Sequence, residues 1–245
     1  MTFDQIIQFR RSNRKFDPNH SVPADVVEKA LEHATLAPNS SNMQLWEFHW
    51  VRDEEKKKKL IHACLNQSAA KTAQELVVIV TRRDKWRQRV QWHKNLILKD
   101  AERVGRDAKS IKMRLVYYTK LMPFSYMNDG LGILGLYRRL LSFCIGLFRP
   151  IYRAEGHAQQ RITVHKSAAL AAENFMLSMA SEEFHTCPME GFDANRVKRI
   201  LGLPRRAEIN MVIGCGKGEI ECPSLSRSKS SSIGANVIIR PVSTV

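Results

Sequence analysis

The chain has little of what builds a covalent or metal-bound framework. Its five cysteines, Cys64, Cys144, Cys187, Cys215 and Cys222, fall at irregular spacing and form no Cys-x-x-Cys. An odd count without paired spacing argues against a disulfide scaffold or a structural zinc site and fits a reducing cytoplasm. The eight histidines show no His-Glu-x-x-His and no paired metal spacing, so His165 and the others read as satisfied or exposed residues. Gly-x-Gly-x-x-Gly and Walker-type loops are absent, which leaves a Rossmann or P-loop site unsupported. No Ser/His/Asp or Cys/His constellation stands out. The first residues, Met1-Thr2-Phe3-Asp4-Gln5, lack a basic and an apolar segment of the secretory kind, so the expectation is a cytoplasmic protein.

Acidic residues are also scarce: 24 Asp and Glu stand against 39 Lys and Arg, a net charge of +15 over 245 residues. Such a balance suits nucleic acid, an anionic membrane surface or phosphorylated ligands. No recognised nucleic-acid module is present, so nucleic acid is not the expected partner. Lys56 to Lys59 read as a solvated helix face, and the excess is denser between Arg82 and Arg153. Otherwise the composition, 44% hydrophobic and 26% charged, is that of an ordinary globular protein with one large core. No internal repeat and no dividing linker is apparent, so residues 1–245 read as one domain.

A long uncharged apolar run is missing as well. The nearest approach is Leu131 to Phe148, which Arg138 and Arg139 interrupt, and a membrane span needs about 20 residues with few or no charges. The leading expectation is a buried or partner-covered helix. The sharper one is an interfacial amphipathic helix whose arginines snorkel, which would make the protein membrane-peripheral.

What is present alternates between helix and strand. Phe3 to Arg11 reads as a short helix with Phe3, Ile6 and Ile7 on one face. A second helix starts at Val22-Pro23-Ala24-Asp25 and carries a stripe of Val26, Val27, Ala30, Leu31, Ala34 and Leu36. Trp46 to Val51 reads as a strand, Asp53 to Leu65 as a helix, and Leu76 to Val80 as a buried strand. Residues 84–122 are polar, basic and helical in pattern. Lys166 to Phe184 is apolar almost all round and so reads as a buried helix. Asp193 is placed to cap a helix running to Leu201, with Gly202 just past its end. Glu208 to Gly214 is a third strand, and Val237-Ile238-Ile239 closes the chain after the Ser-rich stretch Ser224 to Ser232. The intermingling gives an α+β or α/β class.

Two polar segments carry the chemistry. Arg10-Arg11-Ser12-Asn13-Arg14 packs three guanidiniums and a hydroxyl into five residues. In an extended segment Arg10, Ser12 and Arg14 project to one side, and guanidiniums match phosphate oxygens. The alternative is a solvated basic turn. Pro38-Asn39-Ser40-Ser41-Asn42-Met43-Gln44 then sets amides and hydroxyls directly after an apolar helix, suited to a polar ring.

RRSNRKFDP followed by LAPNSSNMQLWEF resembles the start of the FMN-dependent nitroreductase family. Cys187-Pro188-Met189-Glu190-Gly191-Phe192-Asp193 and the stretch Val197 to Gly216, with Leu201-Gly202-Leu203-Pro204, resemble its later motifs. The likeness covers about 1–80 and 160–230. It implies a nitroreductase-like α+β fold, with a central, mostly antiparallel sheet wrapped by helices, and a homodimer with FMN at its interface. It further implies that Arg10, Arg11, Ser12 and Arg14 hold the phosphate and ribityl chain, with Arg227 and Lys229 near the same phosphate. Pro38, Asn39, Ser40 and Asn42 would line the flavin from the neighbouring subunit. Asn66, otherwise a helix cap, resembles a flavin-contacting Asn. Pro188, Met189, Glu190 and Gly191 would cover the ring, with Glu190 and Gly191 near its reactive edge. The implied activity is NAD(P)H-driven reduction of a nitroaromatic, quinone or related acceptor, NADH or NADPH being the donor, with the flavin doing the chemistry and no catalytic side chain required. The tail Val237–Ile239 would add a strand to the partner's sheet.

The chain departs from that pattern at several places. Leu45 stands where a Pro is usual, and Asn39 where a Ser or Thr is common. Ser181 to Thr186 lacks a Gly-rich turn. Residues 84–160, the expected insertion or lid, are longer than in compact members and match no motif. A specialised branch of the dehalogenase or flavin-fragmenting type is one alternative. A basic protein that binds membrane surfaces or nucleic acid is another.

Overall fold

A computed structural model describes residues 1–127, 132–152 and 156–218. Arg227, Lys229, Cys222, the Ser-rich stretch and Val237–Ile239 lie outside the described residues. So does Leu131.

Four strands form one sheet: β1 (Trp46–Trp50), β2 (Glu75–Thr81), β3 (His185–Met189) and β4 (Glu208–Gly216), in the order β1-β2-β4-β3. Every pairing is antiparallel. The apolar run of β2 makes it a central strand with both faces covered, and its alternation splits the core in two. Leu76, Val78 and Val80 pack with α3 (Glu54–Ala63), α4 (Ser68–Thr72) and α10 (Ala194–Ile200). Val77 and Ile79 pack with α2 (Ala24–Thr35) and α9 (His157–Ser181). The result is a helix–sheet–helix sandwich, with α1 (Phe3–Phe9) beside α9.

Between β2 and α9 lie α5 (Trp86–Val104), α6 (Ala108–Val116), α7 (Met122–Tyr126) and α8 (Ile133–Gly146), with a π-helical turn at Tyr117–Leu121. These helices are held by small clusters of their own: Ile97, Ala101 and Ile111 in one, and Met122 and Tyr126 with Met43, Leu45 and Val164 in another. Leu45 is therefore a core residue, which accounts for an apolar side chain where a Pro is usual.

Local signals place most boundaries. Asp193 accepts hydrogen bonds from the backbone N–H groups of Asn195 and Arg196, and Gly202 takes φ +64° past the helix end. Asp53 caps α3 through Lys56 N–H.

Several expectations need correction. α1 buries none of its residues, and Phe3 is exposed. Leu36 lies past the end of α2 and is 77% exposed. α9 begins at His157 rather than Lys166, because its first turns are polar and carry no stripe, and it leaves Ile162 and Leu170 exposed. It stops at Ser181, and Glu183 takes the left-handed φ of +61° where a glycine turn is usual. The segment at 185–189 is an edge strand rather than only a covering loop; Pro188 is compatible with an edge, where one N–H needs no partner. The largest correction is α8. Of its residues only Arg138 and Ser142 are buried, while Ile133, Leu136, Leu140 and Phe143 are exposed. Within this chain the helix is not buried by its leucines.

Candidate functional site

The Arg10–Arg14 segment runs along the outer edge of β3. Ser12 forms a parallel bridge with Thr186, and Asn13 N–H donates to the Thr186 carbonyl at 3.1 Å. Phe16 then turns into the core, fully buried, while its N–H donates to Thr72 Oγ1 at 3.1 Å. A Cβ on Gly216 would lie 2.9 Å from the Phe16 ring, so β4 must be glycine there for the segment to dock. The segment is thus an anchored strand extension, not a solvated turn.

Its side chains divide. Arg10 lies 3.7 Å from Glu173 on α9. Arg11 turns back to donate to the carbonyls of Ile7 and Arg10. Arg14 is exposed. Burial pushes the Cys187 thiol up, and the Arg14 charge opposes that shift, which places Arg14 beside β3. Thr186 Oγ1, buried next to Ser12, has no hydrogen-bond partner among the described residues. A buried hydroxyl left unpaired calls for an explanation. Here it lies beside Ser12, on the segment that carries the three guanidiniums, and these group types suit a phosphate ester.

Pro188 and Met189 end β3, and Glu190 and Gly191 follow in an exposed turn. The Met189 side chain is buried in the sheet core. Two hydrogen bonds tie this turn to the end of α3. Gln67 Nε2 donates to the Gly191 carbonyl at 2.5 Å, and Asp193 N–H donates to the Ala63 carbonyl at 2.8 Å. Leu65 and Asn66 take φ of +58° and +54°, and Asn66 N–H closes the helix on the Ile61 carbonyl. Asn66 is therefore a helix cap and also sits in the turn that meets Glu190-Gly191. The structure gathers residues 10–16, 66–67 and 186–191 into one region.

The Pro38–Gln44 loop sits elsewhere on the same chain. Among the described residues no hydrogen bond joins it to the Arg10–Arg14 segment. Ser41, Asn42 and Gln44 take φ of +54°, +49° and +46°, a conformation costly for L-residues other than Asn and Asp. The loop is held from within and from outside. Asn39 Oδ1 accepts from Gln44 N–H at 2.8 Å, and Asn39 Nδ2 donates to the Asn42 side chain at 3.3 Å. The Tyr118 hydroxyl donates to the Ser41 carbonyl, the Tyr117 hydroxyl pairs with Ser41 Oγ, and Ser40 N–H donates to Ser167. His93 Nε2 reaches the Asn42 carbonyl at 2.7 Å, and the imidazole stacks on Tyr118 at 4.1 Å. Burial holds the His93 pKa below its ordinary value, which favours the neutral ring with Nε2–H as donor.

Next to Ser40 and Ser41 opens a cavity of about 420 Å³. Tyr117, Met122, Phe124, Leu141 and Tyr126 line it, together with Gln160 of α9. Gln160 is buried and its Oε1 has no partner among the described residues. The size and the mostly apolar wall with few polar groups fit a small organic ligand.

The buried cysteines Cys64, Cys187 and Cys215 are poor nucleophiles. Burial raises the Cys64 thiol to about 11 and pushes Cys215 higher still. Among the described residues no group of His, Cys, Asp and Glu could hold a metal ion, and no helix is long and apolar enough to cross a membrane. Gln67, Thr186, His93, Tyr117, Tyr118 and Gln160 went unread in the sequence. Each is a single residue outside any motif, and its part depends on distant chain.

Comparison with known proteins follows this geometry. The profile of the Nitroreductase family matches residues 7–217. YdgI of Bacillus subtilis, named as a candidate NAD(P)H nitroreductase, is 35% identical over 222 residues, covering 89% of this chain and 90% of that protein. Two solved structures share the fold. One is a candidate nitroreductase from Exiguobacterium sibiricum in complex with FMN, with 22% identity, a TM-score of 0.62 and 89% of each chain covered. The other is CLA-ER, an enone reductase of gut-bacterial fatty acid saturation, with 20% identity, a TM-score of 0.66 and 93% of each chain covered.

Proposed function

Because the chain belongs to the nitroreductase family, we propose that it is an FMN-dependent NAD(P)H oxidoreductase that reduces nitroaromatic, quinone or other conjugated carbonyl acceptors. The observation that carries this reading is the docking of the Arg10–Arg14 segment on β3, the strand that leads into the turn at Glu190-Gly191, whose Gly191 carbonyl accepts from Gln67 beside Asn66. Phosphate-matching donors and ring-facing backbone groups, about 170 residues apart in sequence, then border one region.

The residues fit the group. Arg10, Ser12 and Arg14 would hold the phosphate, with the unpaired Thr186 hydroxyl beside them, and Arg11 would steady the turn through its carbonyl contacts. Asn66, Glu190 and Gly191 would border the ring. When bound, FMN supplies the capacity to accept a hydride from NAD(P)H and pass it on. The protein orients the two partners, excludes water and positions donors, which needs no acid–base side chain. Pro38, Asn39, Ser40 and Asn42 would face the flavin of a partner subunit. A homodimer also gives cover to apolar residues left exposed on this chain, Phe3, Leu36 and Leu170. The cavity beside Ser40 and Ser41 would take the acceptor, with Gln160 Oε1 there to accept a hydrogen bond from a donor group of the ligand.

Purified protein should be yellow, or should rebind FMN after its removal, and should bleach on anaerobic addition of NADH or NADPH. Charge-assisted hydrogen bonds contribute about 1.5–3 kcal/mol each. Arg10→Gln or Arg14→Gln should therefore weaken FMN binding about tenfold or more by fluorescence titration. A folded, colourless protein that binds no FMN would end this reading.

A further inference from the structure

The outer face of α8 is unlike the rest of the surface. Ile133, Leu136, Leu140 and Leu147 recur at helical spacing and are 64%, 57%, 56% and 65% exposed. Phe148, just past the helix, is 90% exposed. The inward positions are polar: Arg138 is buried, where its guanidinium donates to the Met127 carbonyl and lies over the Phe124 ring, and Ser142 is buried one turn on. The helix is thus amphipathic with its apolar side outward, a pattern that water does not stabilise.

Charge indicates what covers it. Arg139 flanks the stripe and Arg149 follows it, both exposed, and Lys112, Arg114 and Lys120 on the preceding helices are exposed too. Across residues 108–154 the sequence contains a single carboxylate, Asp129. A second copy meeting this face about a two-fold axis would set these cations against themselves, with almost no acid to pair them. An apolar stripe flanked by cations and aromatic side chains is the pattern of a helix lying in a lipid headgroup region. Tyr137 and Tyr152, both exposed, add amphipathic rings suited to that depth.

We propose that α8 seats this protein on an anionic phospholipid bilayer, its outer face in the headgroup layer and its inner face closing the cavity. Leu141 of α8 lines that cavity, as do Leu121 and Tyr152, which are also exposed, so its mouth opens beside the lipid-facing side. The surface assignment stands apart from the flavin reading.

The test uses the full-length protein and vesicles of phosphatidylcholine alone or mixed with phosphatidylglycerol. The protein should sediment with the mixed vesicles at low ionic strength and release as salt rises. A basic side chain near an anionic surface contributes about 1 kcal/mol, so Arg139→Gln and Arg149→Gln should each lower partitioning about fivefold. Leu136→Asp with Leu140→Asp should abolish it at every salt concentration while leaving circular dichroism and cofactor content unchanged. Cys144, exposed on the same helix, should react with a water-soluble maleimide in free protein and be protected by mixed vesicles, followed by peptide mass. Absence of sedimentation with mixed vesicles would overturn the proposal. So would protection of Cys144 without lipid, together with a smaller oligomer in the double leucine variant, because a second copy would then cover the face.

Discussion

Single residues here carry long-range geometry. Gly216 is required because the Phe16 ring occupies the space of a side chain, and a Gly216→Val substitution should cost about 1–3 kcal/mol by overpacking. Urea unfolding measures that loss, and FMN affinity should fall with it, since Phe16 anchors Arg14. Glu183 is the opposite case. It holds φ +61° at the turn between α9 and β3, with a 3.7 Å contact to Lys217 as its ion pair. Left-handed conformation costs an L-residue about 1–2 kcal/mol, and exposed pairs return little. Glu183→Gly should therefore raise the melting temperature, by the equivalent of about 0.5–1 kcal/mol once the entropy cost of glycine is counted. His93 adds a pH dependence with a definite sign. Burial lowers its folded pKa below the ordinary 6.5, so the unfolded chain binds the proton more readily. Stability is thus full above the unfolded value and declines as pH falls below it, until the folded value is passed. Thermal melts between pH 8 and pH 5 should show this slope, and His93→Gln, which keeps a donor for Asn42 but does not titrate, should flatten it.

At the scale of elements, the reading from sequence succeeded wherever a period or a cap was strong. β2 is a run of β-branched residues, and its burial on both faces follows. α10 has its Asp193 cap and its Gly202 stop in place. The Arg10–Arg14 segment was legible as spaced guanidiniums, but not its mounting, because a bridge between Ser12 and Thr186 leaves no local trace. β3 escaped notice since His185-Thr186-Cys187-Pro188-Met189 neither alternates nor runs apolar, and it is a strand because β4 pairs with it. For α8 the sequence leaves burial, partner cover and an interfacial setting open, and only the tertiary placement of Arg138 and Ser142 fixes which face turns inward. The thiols give a check on packing at this scale. Among the described cysteines, Cys64, Cys187 and Cys215 are buried and Cys144 is exposed. Brief maleimide treatment of folded protein near pH 8 should label Cys144 and spare the other three.

Across the whole molecule, the regions assigned to ligand come from distant chain. The opening segment needs β3 and β4, and the turn at Glu190-Gly191 needs the end of α3. The sandwich is closed by helices on both sheet faces, while α5–α8 add the cavity and the basic, apolar-faced surface. Charge is distributed in keeping with those roles. The +15 excess should favour encounter with anionic nicotinamide cofactors, and the NAD(P)H on-rate should fall as ionic strength rises, measurable by stopped flow.

The bridge between Ser12 and Thr186 also orders events during synthesis. Residues 10–16 leave the ribosome ahead of β3 and β4 and gain their docking edge only when these follow, about 170 residues later. At about 5–20 residues per second that is a wait on the order of ten seconds or more. Through that interval the guanidiniums are untethered, and a nascent chain arrested before residue 185 should retain no flavin, whatever the supply. On the proposed reading, cofactor loading would be tied to completion of the sheet, and a truncated product would leave no partly assembled, redox-active fragment.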